Sequence, residues 1–159
     1  MHFTLRPWTS ADLESLVTFA NNYEIAKYMT DKFPHPYTAD AGAAFILFAS
    51  QGNPANIFAI DIDGQASGGI GLHPQTDLSC KNAELGYWLA QPFWGKGVIT
   101  KAIGQMVDYG FATFDINRIF ARPFGTNMGS QKALEKAGFI LEARFTKTYV
   151  GGGFSGISL

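Results

Sequence analysis

Between residues 82 and 114 the hydrophobic period of the chain changes from two to about 3.6, and the change is made across a pair of glycines. Residues 82–90 alternate, with Glu84, Gly86 and Trp88 on one face and Leu85, Tyr87 and Leu89 on the other. Gln91-Pro-Phe-Trp-Gly-Lys-Gly-Val98 follows. Ile99, Ala102, Ile103, Met106, Gly110 and Phe114 then recur at helical spacing. A strand that turns through a glycine loop into a long helix demands a sheet with a helix laid against it. The rest of the chain must fit that unit.

Upstream, residues 3–6 alternate and Pro7 stops them, which predicts a first strand. Thr9 and Ser10 are capping residues, and Leu13, Leu16, Val17 and Ala20 follow at helical spacing. Asn21-Asn22 breaks that helix, and residues 25–29 can add one more turn. Thr38 caps a second helix through residue 50, with Ala44, Ile46, Leu47 and Phe48 as its expected buried side. Strands at 57–62 and 65–73 flank Asp63-Gly64, a strong hairpin signal. Gly68, Gly69 and Gly71 in the second of these imply a bulge, or close approach of a ligand or another backbone.

Downstream of the long helix, residues 118–122 read as a strand and 127–137 as a short helix, with Gly138 as its left-handed cap. Residues 139–150 and 154–159 read as two strands about a glycine turn. The order β-α-α-β-β-β-α-β-α-β-β implies an α+β layered fold with a mixed, mostly antiparallel sheet. The length of 159 residues gives one domain, 1–159.

The charge balance is −1, which leaves no basic surplus for a nucleic acid backbone. There is no run of about 18 apolar residues to span a membrane. The first residues carry no cationic and apolar leader pattern, so the expectation is a cytoplasmic protein. Cys80 is the single cysteine, lies in a turn and has no base beside it in sequence. His2, His35 and His73 are too scattered for a metal site, so no metal is expected. His35 reads as a surface loop residue, with the acceptor entrance as its alternative.

Glycine is over-represented, at 18 residues, and Gly95 and Gly97 have a chemical use. At a helix start several backbone N–H groups lack an intrahelical partner, and the helix dipole adds positive potential. Glycines let an anion reach those amides, Lys96 adds a mobile charge and Thr100 a hydroxyl. The alternative is a tight turn with no ligand. Phosphate loops of the G-x-x-x-x-G-K-[ST] kind are absent, and Thr100 stands where a dinucleotide fingerprint has its third glycine.

Glu84-Leu-Gly-Tyr-Trp-Leu89 with Pro92-Phe-Trp-Gly-Lys-Gly-Val98, and Asn127-Met-Gly-Ser130 with Leu134-Glu-Lys-Ala-Gly-Phe139, carry a family resemblance. The chain resembles the GCN5-related N-acetyltransferases (GNAT), and within them the RimJ/RimL-like ribosomal-protein branch. The resemblance implies acetyl-coenzyme A as donor. It implies a sheet that splays open after the third meander strand, with the pantetheine arm pairing near Trp88 and Leu89. The pyrophosphate would sit on the amides of Gly95, Gly97, Val98, Ile99 and Thr100, and Asn127 would hold the arm from the far side. Three positions depart from the family pattern: Trp94 for a Gln or Arg, Ile99 for a small residue, and Leu134 for a tyrosine that protonates the thiolate.

Acetyl transfer needs a neutral amine, whereas an α-amine has a pKa of about 7.7–8.0 and a lysine about 10.4. Glu84 is the candidate base and Ser130 the candidate group beside the thiolate, with an exposed carboxylate, salt-bridged or solvated, and a helix cap as their plain readings. Trp88 is more readily a core anchor than a substrate platform. The expected function is transfer of an acetyl group to a primary amine, either a protein N-terminus or a small molecule. The reading leaves room for a homodimer. Two alternatives stand: a catalytically degenerate acyl-CoA-binding module, and a dinucleotide-binding oxidoreductase suggested by G-x-G alone.

Overall fold

The computed structural model describes residues 1–149 and 152–158. Its elements are β1 (Thr4–Pro7), α1 (Leu13–Ala20), α2 (Tyr23–Ala26), α3 (Ala39–Ala49), β2 (Ile57–Ile62), β3 (Gln65–Pro74) and β4 (Asn82–Leu89). They continue as α4 (Val98–Thr113), β5 (Arg118–Ala121), α5 (Met128–Lys136), β6 (Ile140–Tyr149) and β7 (Gly152–Ser158). The order adds one element to the expected one. The single turn anticipated at 25–29 forms earlier, as α2 at Tyr23–Ala26, because Asn22 caps it by accepting the Glu24 N–H at 2.9 Å. Val150, Gly151 and Leu159 of the expected final hairpin lie outside the described residues.

Neighbouring strands follow the order β1-β2-β3-β4-β5-β7-β6. The β1/β2, β2/β3, β5/β7 and β6/β7 pairs are antiparallel, and β4/β5 is parallel. This is the mixed, mostly antiparallel α+β arrangement that the element order implies. The chain forms two compact units, Met1–Gly71 with Tyr87–Val98, and Leu72–Gly86 with the chain from Ile99 onward. Strands β3 and β4 each contribute to both.

In the first unit the core gathers Trp8, Leu16, Ile25, Tyr37, Ile46 and Trp88. Burial pushes the Tyr37 hydroxyl pKa up to about 12. The β2–β3 hairpin turns on Asp63 and Gly64, both at positive φ. Arg6 ties β1 down: its Nε donates to Asp61 at 2.6 Å and its two Nη atoms fork onto Asp12 at 2.8 Å each. That fork holds the nearly buried Asp12 carboxyl below the usual carboxylate range.

Helix α3 corrects one expectation. Of the four residues expected to be buried, only Ile46 is; Ala44, Leu47 and Phe48 face solvent. The buried stripe is Gly42, Ile46 and Ala49, spaced four and three apart as one helical face requires. A run of adjacent apolar residues cannot all lie on that face.

In the second unit α4 buries Ala102, Ile103 and Met106, and approaches the end of β3 closely at Gly110. A Cβ on Gly110 would lie 2.4 Å from the Leu72 Cδ1. Among the described residues, no helix is long and apolar enough to cross a membrane.

Candidate active site

The glycine loop belongs to the first unit. Trp88 and Leu89, the last residues of β4, are both buried. The Ala90 N–H then bonds the Ser67 carbonyl at 2.8 Å, which ends the strand on a fixed anchor. A 3-10 turn with Pro92 near its start leads to Trp94, whose indole N–H donates to the Leu89 carbonyl at 2.7 Å. Gly95 and Gly97 follow with φ of +73° and +77°. A Cβ on either would meet no atom within 4 Å. The glycines are therefore required by backbone conformation, not by crowding, and the loop surface is open. Val98 buries its side chain and starts α4, so the first amides of that helix follow the open loop directly. Lys96 Nζ rests 5.8 Å from the Phe93 ring centre, and Phe93 meets Phe19 edge-on at 6.2 Å.

The glycines of β3 have a different cause. A Cβ on Gly68 would stand 2.6 Å from the Trp88 carbonyl oxygen, and one on Gly69 2.8 Å from the Trp88 Nε1. Both sequence-based explanations are realised here. The register slips between Ile60 and Asp61, and another backbone comes close. Trp88 is a core anchor, with Phe33 packed edge-on at 5.8 Å.

The second unit holds the candidate acid–base residues. Glu84 pairs in parallel register with Phe120 of β5. Both its carboxylate oxygens accept from Arg122, at 2.9 Å from Nε and 2.8 Å from Nη2. Further charged pairs involve the same two strands and their flanks: Lys81 with Asp115, and Arg118 with Glu142. Asn127 caps α5, its Oδ1 accepting the Ser130 N–H at 3.2 Å. Ser130 is thus not the cap but the capped residue, half-buried in the first turn. Gln131 steadies the approach to that helix by donating to the Gly125 carbonyl at 3.0 Å. Leu134 is fully buried in α5. Gly138 ends the helix at φ +96°.

Of the residues singled out in the sequence, Trp88, Leu89, Gly95, Lys96, Gly97 and Val98 lie in the first unit. Glu84, Ile99, Thr100, Asn127 and Ser130 lie in the second. The structure joins Asn127 to Ser130 directly. It also gives Glu84 a partner that the sequence reading missed, Arg122. Register between two parallel strands joined through a long helix leaves no local signal, so nothing in the sequence could have paired them. Cys80 is exposed. His35 packs against the Tyr23 ring at 5.8 Å. Among the described residues, no group of three or more His, Cys, Asp or Glu could hold a metal ion.

The first unit thus carries an open glycine turn ahead of a helix, and the second a strand carboxylate and an asparagine-capped helix. The chain belongs to the GNAT acetyltransferases: the family model for the acetyltransferase (GNAT) domain matches residues 2–140. The chain is an N-acetyltransferase, an acyltransferase, and membership decides against a dinucleotide oxidoreductase. It is similar to the Bacillus subtilis (strain 168) protein named "Putative ribosomal N-acetyltransferase YdaF", 30% identical over 90% of this chain and 80% of that one. Two solved structures share the fold. Ribosomal-protein-S5-alanine acetyltransferase from Vibrio fischeri superposes with a TM-score of 0.83 at 20% identity, over 100% of this chain and 93% of that one. Spermidine N-acetyltransferase from Vibrio cholerae, in complex with CoA and spermine, gives 0.80 at 21%, over 99% and 94%.

Proposed function

We propose that the protein transfers an acetyl group from acetyl-coenzyme A directly to a primary amine. The observation that carries this reading is the Gly95/Gly97 turn: positive φ at both, open space above both, and a helix start directly behind. Gly64 in the β2–β3 hairpin is likewise open at positive φ, so what sets Gly95 and Gly97 apart is the start of α4 directly behind them. The amides of Gly95, Gly97, Val98, Ile99 and Thr100 would hold the pyrophosphate, and Lys96 can swing from Phe93 towards it. Backbone at Trp88 and Leu89 would pair with the pantetheine arm. The α5 cap uses the Asn127 Oδ1, so Nδ2 is the atom that would donate to a carbonyl of that arm.

When bound, the donor supplies an activated thioester carbonyl. Glu84 takes a proton from the acceptor ammonium, directly or through one water, so that the nitrogen lone pair can attack. Ser130 donates a hydrogen bond to the departing sulfur, which leaves as a thiol carrying the second proton of the nitrogen. The α-amine of a polypeptide and a small primary amine share the chemistry this requires.

A second reading, a module that binds acyl-CoA without turnover, is favoured by one observation: Leu134, fully buried, supplies no hydroxyl where many family members have one. One experiment separates the two. Acetyl-CoA binding is measured by calorimetry, and turnover is then screened over N-terminal peptides and small amines. Binding with turnover is expected. Binding without turnover across the panel would leave the module, and no binding would remove the donor assignment.

A further inference from the structure

The Glu84–Arg122 pair does more than the stability of the sheet requires. The β4/β5 register is set by backbone pairing of Asn82 with Arg118, Ala83 with Ile119 and Glu84 with Phe120. Arg122 lies one residue beyond the end of β5. Its side chain is about half exposed, at 51%, against 25% for Glu84. Single-bonded ion pairs in such positions contribute little to folding, and a structural share for this one depends on its geometry. Here the geometry is a full fork, with two parallel bonds of 2.9 and 2.8 Å that occupy both oxygens of the carboxylate.

A carboxylate meant to receive a proton from an amine must present an oxygen to it. The amine arrives largely as ammonium, a cation that seeks the same oxygens Arg122 holds. We infer that Arg122 is a positioning residue that competes with the acceptor ammonium for Glu84, one guanidinium bond opening as the acceptor binds and the other keeping the carboxylate aimed. This rests on the proposal that Glu84 is the base. The guanidinium is the more exposed partner, and the carboxylate is carried on a strand. Arg122 therefore sets a threshold: the acceptor ammonium meets a carboxylate whose charge, and one acceptor position on each oxygen, the guanidinium already engages.

The test is steady-state kinetics of the full chain with the best amine of the turnover screen, comparing R122Q, R122K, E84Q and the E84Q/R122Q double variant. Circular dichroism and thermal melts check folding. For R122Q the expected result is an acceptor KM lowered about three- to tenfold, since a competitor worth about 0.7–1.4 kcal/mol is gone. Its kcat should fall because the carboxylate is no longer aimed, and its KM for acetyl-CoA should stay within twofold. R122K, which keeps a cation, should return the acceptor KM towards the parent value. In the E84Q background R122Q should change nothing further. A merely structural role would raise both KM values or move neither.

An unchanged or raised acceptor KM in R122Q, with E84Q impaired, overturns the competition and leaves the base in place. A parallel change in the acetyl-CoA KM overturns it as well. Full turnover in E84Q overturns the base assignment, and the inference falls with it.

Discussion

The two units of the chain prepare their candidate groups in opposite ways. In the first, the glycine loop is held by neutral contacts: the Ala90 amide on Ser67, the Trp94 indole on Leu89, and Phe93 on Phe19. Its functional atoms are backbone amides, placed by conformation. In the second, the carboxylate of Glu84 is held by an ion pair, and charged pairs flank it on β4 and β5. Its candidate atoms are side-chain oxygens, each bonded to the Arg122 guanidinium. A rigid neutral cradle suits an anionic group that must be held throughout the reaction. An exchangeable ionic hold suits a group that must release and take protons. The difference predicts that variants of the Gly95–Gly97 loop act on donor affinity, and variants at Glu84 on turnover.

The largest effect is expected at Glu84. Glu84→Gln keeps the shape and one acceptor oxygen for Arg122 but cannot take a proton. A loss of about 10²-fold or more in kcat is expected, with acetyl-CoA affinity by calorimetry within twofold. A matching loss of donor affinity would break the division between loop and carboxylate. Next is Gly97→Val. A β-branched residue at φ +77° costs about 1–2 kcal/mol in backbone strain alone. Its side chain also enters the open space left for phosphate. Acetyl-CoA affinity should fall at least about tenfold, read by calorimetry at a temperature where the variant is shown to be folded. Unchanged affinity would take the loop out of donor binding.

The same contrast decides what could be read from the sequence. Gly95 and Gly97 were legible because glycine beside a helix start has few uses, and the structure narrows these to positive φ with open space. The strand at Ile57–Ile62 and the Asp63-Gly64 turn were legible from alternation and turn chemistry, both local rules. The buried face of α3 was misread because every residue from Ala41 to Ala49 is apolar or glycine. With no polar face to mark the outside, composition could not say which stripe faces inward. The Arg122 fork, the Arg6 network and the Trp88 contact with Gly68 and Gly69 are all long-range. They depend on register, which the sequence does not display.

The Arg6 network sharpens the comparison by showing an ionic hold that is structural. Its Asp12 end is nearly buried, unlike the Glu84–Arg122 pair. Arg6→Met should destabilise the fold by about 1–2 kcal/mol, a buried-pair loss discounted for the partial exposure of Arg6. The Asp12 carboxyl is held below its usual range by the Arg6 hydrogen bonds. That part of the stability is therefore fully present above the unfolded value of about 3.9 and is lost as pH falls through the lower folded value. Urea melts between pH 7 and pH 3 should show the gap between parent and variant constant down to about pH 4 and closing below it. A gap independent of pH would deny Asp12 its share.

The smallest effect tests whether the neutral loop is as rigid as its contacts suggest. Asn22 uses both ends of its amide: Oδ1 caps α2, and Nδ2 donates to Gln91 Oε1 at 2.7 Å. Gln91 opens the turn that carries the glycine loop, so this bond ties the α1–α2 corner to the loop that would hold the donor. Beside it lies a cleft of about 370 Å³ lined by Thr18, Phe19, Asn21, Asn22, Gln91 and Pro92. One exposed amide–amide bond contributes about 0.5–1 kcal/mol. Gln91→Leu should raise the acetyl-CoA KM about two- to fivefold and leave kcat unchanged. Asn22→Ser keeps a capping oxygen but loses the reach to Gln91, so it should do the same, and the double variant should be no worse than either single one. Additive effects would mean that the two residues act separately and that the loop takes its pose from Phe93 on Phe19 and Trp94 on Leu89 alone.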